Sequence, residues 1–109
     1  MESIYLVITT FPTRDEALSL ANQIIEKHLA GCVQIQEACT SIYEWKGIVE
    51  RSVEFPVHIK TVESKKESLK TFIQENHSYE LPEIVAIKLN DVSETYAEWI
   101  ATQTCETDS

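Results

Sequence analysis

Residues 32–61, CVQIQEACTSIYEWKGIVERSVEFPVHIKT, read as two extended arms folded back on each other about Lys46 and Gly47. In the second arm Val53, Phe55, Val57 and Ile59 alternate with Ser52, Glu54, His58 and Lys60, the period of two of a strand with one buried face. The first arm carries Val33 and Ile35, then Tyr43 and Trp45, and Gly47 supplies the backbone freedom of a tight reversal. Each arm of about 14 residues, at roughly 3.3 Å per residue, reaches about 46 Å. A globule of 109 residues is only roughly 34 Å across, so the hairpin overhangs its own domain. Its tip exposes Ile42, Tyr43, Trp45, Ile48 and Val49 unless another chain covers them, and the ribbon therefore reads as an assembly device. Pro56 has no ladder donor, which predicts a bulge or an unpaired position there.

Upstream, Ile4 to Thr9 (IYLVIT) is an apolar run rich in β-branched residues, closed by Phe11-Pro12, and reads as a central strand buried on both faces. Thr13 and Glu16 stand at capping-box spacing, and Ala17, Leu18, Ala21, Ile24, Ile25 and Leu29 mark one face of a first helix that Gly31 ends. Downstream, Ser64 with Glu67 predicts a second capping box, opening a helix with Leu69, Phe72 and Ile73 that ends near His77 before Pro82. Ile84 to Leu89 reads as a further strand and Ser93 to Thr102 as a short C-terminal helix, followed by a frayed polar tail from Thr104 to Ser109. The order β-α-β-β-α-β predicts an α+β, ferredoxin-like sandwich, with two helices on one face of a four-stranded antiparallel sheet. Because the first and last strands carry apolar residues of both parities, the second sheet face needs a cover. The overlong hairpin points to the same face of other protomers, hence a self-assembly rather than a monomer.

A chain of this length with 43% hydrophobic residues supports one core, so residues 1–109 read as a single domain. The formal charge of −9 repels phosphate backbones and anionic bilayers, which leaves cations and proteins as partners and argues against nucleic acid or membrane. No apolar run approaches the roughly 20 residues of a membrane span, and the N-terminus lacks a signal-peptide pattern, so the expected location is cytoplasmic. Three separated cysteines, Cys32, Cys39 and Cys105, make neither a disulfide framework nor a CxxC pair.

Candidate chemistry concentrates in NHSYELPEI, residues 76–84, where His77, Tyr79, Glu80 and Glu83 cluster around Pro82. His77 and Glu80, three apart, can share one side of a turn and offer nitrogen and oxygen to a divalent ion; alternatively His77 only meets the last carbonyls of its helix. His28 and His58 lack clustered partners, and Lys60 reads as a surface ion pair among Glu50 and Glu54. For catalysis there is no recognisable Ser, His and acid arrangement, and two glycines leave no room for a phosphate-cradling or dinucleotide loop, so the chain does not read as an enzyme.

AGCVQI (30–35), TSIYEWKG (40–47), HIKT (58–61), HSYELPEI (77–84) and YAEWI (96–100), in that order, resemble the CutA divalent-cation tolerance family. The resemblance covers nearly everything from Ile4 to Ile100. It implies a ferredoxin-like homotrimer with clefts between subunits lined by Tyr43, Trp45, Lys60, His77, Tyr79, Glu80 and Glu83. It also implies a link to copper and divalent-ion tolerance through non-catalytic binding of a metal ion or small ligand, or a regulatory role in the manner of PII-type signalling trimers. Described copper ligands of the family are a cysteine near the end of the first strand and histidines at the HxYE motif. Here Thr9, Asn76 and Ser78 stand at the departing positions and His77 is kept, which implies weak binding of an ion such as Cu²⁺ at His77 and Glu80. An acylphosphatase, another small ferredoxin-like protein, needs a glycine- and arginine-bearing loop where this chain reads TTFPTRDE (9–16).

Overall fold

The computed structural model describes residues 2–105. The order is β1 (Ile4–Phe11), α1 (Arg14–Glu26), β2 (Cys32–Ile35), β3 (Cys39–Trp45), β4 (Ile48–Val62), α2 (Glu63–Asn76), β5 (Val85–Lys88) and α3 (Glu94–Thr104). All ladders are antiparallel; the sheet runs β2-β4-β1-β5, and β3 pairs with the outer half of β4. This is the expected α+β arrangement with one strand more, because the first arm of the hairpin is broken in two.

The break follows from register. Along β2 paired residue numbers sum to 92 (Cys32 with Lys60), along β3 to 93 (Cys39 with Glu54), so one extra residue is inserted in the first arm between Gln36 and Cys39. Gln36 N–H still donates to Pro56 C=O at 2.8 Å. A strand residue turns its N–H and C=O to the same neighbour, so the donor that Pro56 lacks faces the start of this bulge and costs no regular ladder bond. At the far end Lys46 and Gly47 take φ of 52° and 83°, the left-handed pair of a two-residue I′ turn between Trp45 and Ile48.

Helix α1 opens as expected, with Thr13 Oγ1 accepting from Glu16 N–H at 3.2 Å. Its end differs from expectation. His28, at φ 58°, is the left-handed residue; His28 N–H donates to Ile25 C=O and Leu29 N–H to Ile24 C=O, both at 3.1 Å, which is a Schellman closure. Gly31 serves packing instead, since a Cβ there would meet Ile100 Cδ1 at 2.7 Å. The Ser64–Glu67 capping box does not form: Val62 is the N-cap. The start of α2 is satisfied by the chain's N-terminal segment, where Ser3 C=O accepts from Glu63 N–H and the Glu2 carboxylate from Ser64 N–H (2.7 Å) and Oγ–H (3.0 Å).

The main core lies between one sheet face and helices α1 and α2, with Val7, Phe11, Val57 and Ile59 against Leu20, Ile24, Leu69 and Ile73. A second, smaller cluster joins Ile4 and Val62 to Ala97 and Ile100, so α3 folds over one end of the opposite face. Thr104, expected in a frayed tail, is the buried last residue of α3, and its hydroxyl donates to Ile100 C=O at 3.1 Å; residues 106–109 lie outside those described. The rest of that face stays open, with Val85 and Ile87 about half exposed.

β4 continues past the last β1 pair, Phe11 with Phe55, and its outer half is a free two-stranded ribbon with β3. The long axis of 48 Å against 30 and 22 Å is that overhang. There the alternation rule inverts. Val53, expected inside, is 61% exposed, since the helix-packed core takes in Val57 and Ile59 of β4 but not Val53, and Glu54, expected outside, is 8% exposed, since the loop that carries Tyr79 lies against it. Among the described residues no helix is long and apolar enough to cross a membrane.

Candidate functional site

The segment 77–84 leaves α2 and is fixed to the sheet by its first side chain. The His77 ring stacks on Phe11, with centroids 4.5 Å apart and planes 9° from parallel. Its Nδ1 accepts from Tyr79 N–H at 3.0 Å, so Nε2 carries the proton and donates to Thr10 C=O at 2.6 Å. The helix-end alternative is therefore replaced by a long-range bond within the chain: the carbonyl that His77 meets belongs to β1. Next, the Glu16 carboxylate accepts from Ser78 N–H (3.2 Å) and Oγ–H (2.8 Å), so the second half of the first capping box is diverted to tie this loop to α1.

Held this way, the loop faces the ribbon across a cleft of about 840 Å³. Tyr43 and Trp45 project from alternate positions of β3 on one side, and Tyr79, Glu80, Leu81 and Glu83 form the other. The Tyr43 hydroxyl meets Ser52 Oγ at 2.6 Å across the ribbon, and Lys46 Nζ stands 5.8 Å over the Trp45 ring. At the base lies Glu54, whose Oε2 accepts from Thr10 Oγ1–H at 3.0 Å. Burial first, then the hydrogen bond to Glu54 and the charge of that carboxylate, push the Tyr79 hydroxyl up to about 12. Four carboxylates, Glu44, Glu54, Glu80 and Glu83, line the cleft, and none of its lining residues is Lys, Arg or His.

Of the residues expected at a site, Tyr43, Trp45, Tyr79, Glu80 and Glu83 come together within one chain. His77 supports the loop from behind, with both ring nitrogens engaged, so coordination of a metal by this side chain requires giving up one of those bonds. Lys60 is elsewhere: it pairs with Leu6 and Cys32 across the sheet and donates to Gln34 Oε1, not to Glu50 or Glu54. The sequence reading missed Glu54, Glu44 and Thr10. An acid on the polar parity of a strand carries no mark that a loop 25 residues downstream will cover it. Among the described residues no group of three or more His, Cys, Asp or Glu is placed to hold a metal ion, so a closed divalent site does not fit the residues of one chain.

The model of the CutA1 divalent ion tolerance protein matches residues 5–103. The chain belongs to the CutA1 divalent ion tolerance family. It is 37% identical over 99 residues to the chloroplastic CutA of Arabidopsis thaliana, an alignment that covers 91% of this chain and 54% of that relative, so the chain spans about half its length. Two crystal structures of the family superpose closely. CutA1 of Oryza sativa matches at 33% identity and TM-score 0.92, covering 97% of each chain. CutA1 of Ehrlichia chaffeensis matches at 27% identity and TM-score 0.93, covering 97% of this chain and 99% of that one. The family's name describes tolerance of divalent ions.

Proposed function

We propose that this chain is a non-catalytic, self-associating binding protein that contributes to divalent-ion tolerance by taking a small cation in the cleft between the ribbon and the 78–83 loop. One observation carries the reading: four carboxylates and three aromatic rings line the cleft, and none of the lining residues is positively charged. Such a surface attracts cations and repels anions. Association is supported by the ribbon's outer face, where Ile42, Val49 and Val53 are each more than 60% exposed, and by Val85 and Ile87 on the open sheet face. Copies that cover these surfaces, three in a closed ring, also wall the open side of the cleft.

The test has two parts. Light scattering coupled to size exclusion reads the assembly; a particle of three times 12.5 kDa supports it, and a stable 12.5 kDa species contradicts it. Calorimetric titration of chelator-stripped protein with Cu²⁺, with choline and with inorganic phosphate reads the ligand. The reading expects saturable heat from at least one cation and none from phosphate. Binding of phosphate alone overturns it.

A further inference from the structure

Glu54 is more than nine-tenths buried, yet the donors it meets are hydroxyls, Thr10 Oγ1–H at 3.0 Å and the neighbouring phenol of Tyr79. Hydroxyl bonds occupy the lone pairs of a carboxylate but leave its charge uncompensated, and the cleft supplies no Lys, Arg or His to balance it. No lining residue of the cleft supplies that counter-charge, and an added cation can. A metal ion meets that need poorly here, because a transition ion asks for about four convergent donors and no such cluster exists among the described residues. The cleft, at about 840 Å³, has the size of a small-molecule pocket, roughly 300–1,000 Å³, and not that of an ion cage. Its walls are the rings of Tyr43, Trp45 and Tyr79, whose faces attract cations that are weakly hydrated and spread out. Trp45 already receives Lys46 Nζ at 5.8 Å, which shows a ring face presented to an ammonium group.

Building on the cation-site reading above, we infer that the ligand is an organic ammonium or guanidinium ion, its charge set against Glu54 and its carbon framework between Tyr43, Trp45 and Tyr79, and not a coordinated metal ion. Glu80 and Glu83 at the mouth draw the cation in, and Thr10 keeps the Glu54 carboxylate fixed.

Calorimetry on the full chain, stripped of metal, tests this with choline, ethanolammonium and agmatine, each to about 10 mM, and with 3,3-dimethylbutan-1-ol, the neutral isostere of choline. At least one of the three cations is expected to bind saturably. If that cation is choline, the isostere binds at least about tenfold more weakly, the worth of one charge–aromatic and charge–carboxylate contact. Glu54→Gln weakens the binding cation by about tenfold or more. Should that buried substitution impair folding, Trp45→Leu on the free ribbon gives the same loss without touching the core. Equal binding of choline and its isostere overturns the inference, as does retention of affinity in Trp45→Leu. Saturable binding of Cu²⁺ with none of the organic cations overturns the inference and leaves the cation-site reading standing. Binding of no cation at all ends both.

Discussion

The Nε2–H of His77 donates to the main-chain carbonyl of Thr10 at 2.6 Å, joining the end of α2 to the central strand of the sheet. The same ring accepts Tyr79 N–H and stacks on Phe11. Its role is that of a strut under the cleft wall. His77→Ala removes the stack and two bonds and leaves Thr10 C=O and Tyr79 N–H without these partners. The expected loss is about 2–3 kcal/mol of stability by denaturant unfolding. An unchanged midpoint and slope would show that the loop holds itself.

Thr9 Oγ1 is buried without a hydrogen-bond partner on the helix-facing side of β1. Replacing the hydroxyl by a methyl group removes that unmet demand at nearly constant shape. Thr9→Val is therefore expected to raise stability by roughly 1 kcal/mol, read as a higher urea midpoint. A lower midpoint would mean that the hydroxyl has a partner in solution.

Gly31 lies where α3 crosses the start of β2, and the ideal Cβ position is 3.1 Å from Ile100 Cα as well as 2.7 Å from Cδ1. A backbone atom cannot swing away as a side chain can. Gly31→Ala should cost about 1–3 kcal/mol through displacement of α3, measured as a fall in Tm.

The Tyr79 phenol, pushed up to about 12 chiefly by burial and then by Glu54, sets an alkaline limit on the cleft wall. The unfolded chain releases this proton near 10, the folded chain only near 12, so between those values the folded state binds more protons and stability falls as pH rises. Below about 10 the contribution is fully present. Urea midpoints measured across this window should drop less in Tyr79→Phe than in the parent; equal drops would place the titration elsewhere.

Much of this architecture is legible in the chain. Alternation from Val53 to Ile59 and the glycine at 47 identify the hairpin, because strand parity and turn geometry are local properties. The overhang follows from counting residues. The interruption of the first arm is not legible, since nothing about Glu37 or Ala38 announces an extra residue; only Pro56, 18 positions away, hints at it. Helix ends are misread where a distant partner takes over a local role, as Glu2 does for α2, or where a residue other than glycine takes the left-handed position, as His28 does after α1. The cleft is half legible. Tyr43, Trp45, Tyr79, Glu80 and Glu83 stand in recognisable motifs, whereas Glu54 becomes a site residue only when Tyr79 folds over it. Within one chain strand register places Lys60 opposite Cys32, and its ammonium donates to Gln34 Oε1.

Trp45 lines the cleft and the other of the chain's two tryptophans, Trp99, lies on α3, so Trp99→Phe leaves a single reporter within the proposed site. Emission of Trp45 in that variant, followed during titration with choline, Cu²⁺ and inorganic phosphate, tests directly whether the cleft is a cation site. A saturable change with at least one cation, lost in Glu54→Gln and absent with phosphate, is the expected result. A cation that binds by calorimetry while Trp45 emission stays constant, or a response to phosphate alone, would contradict it.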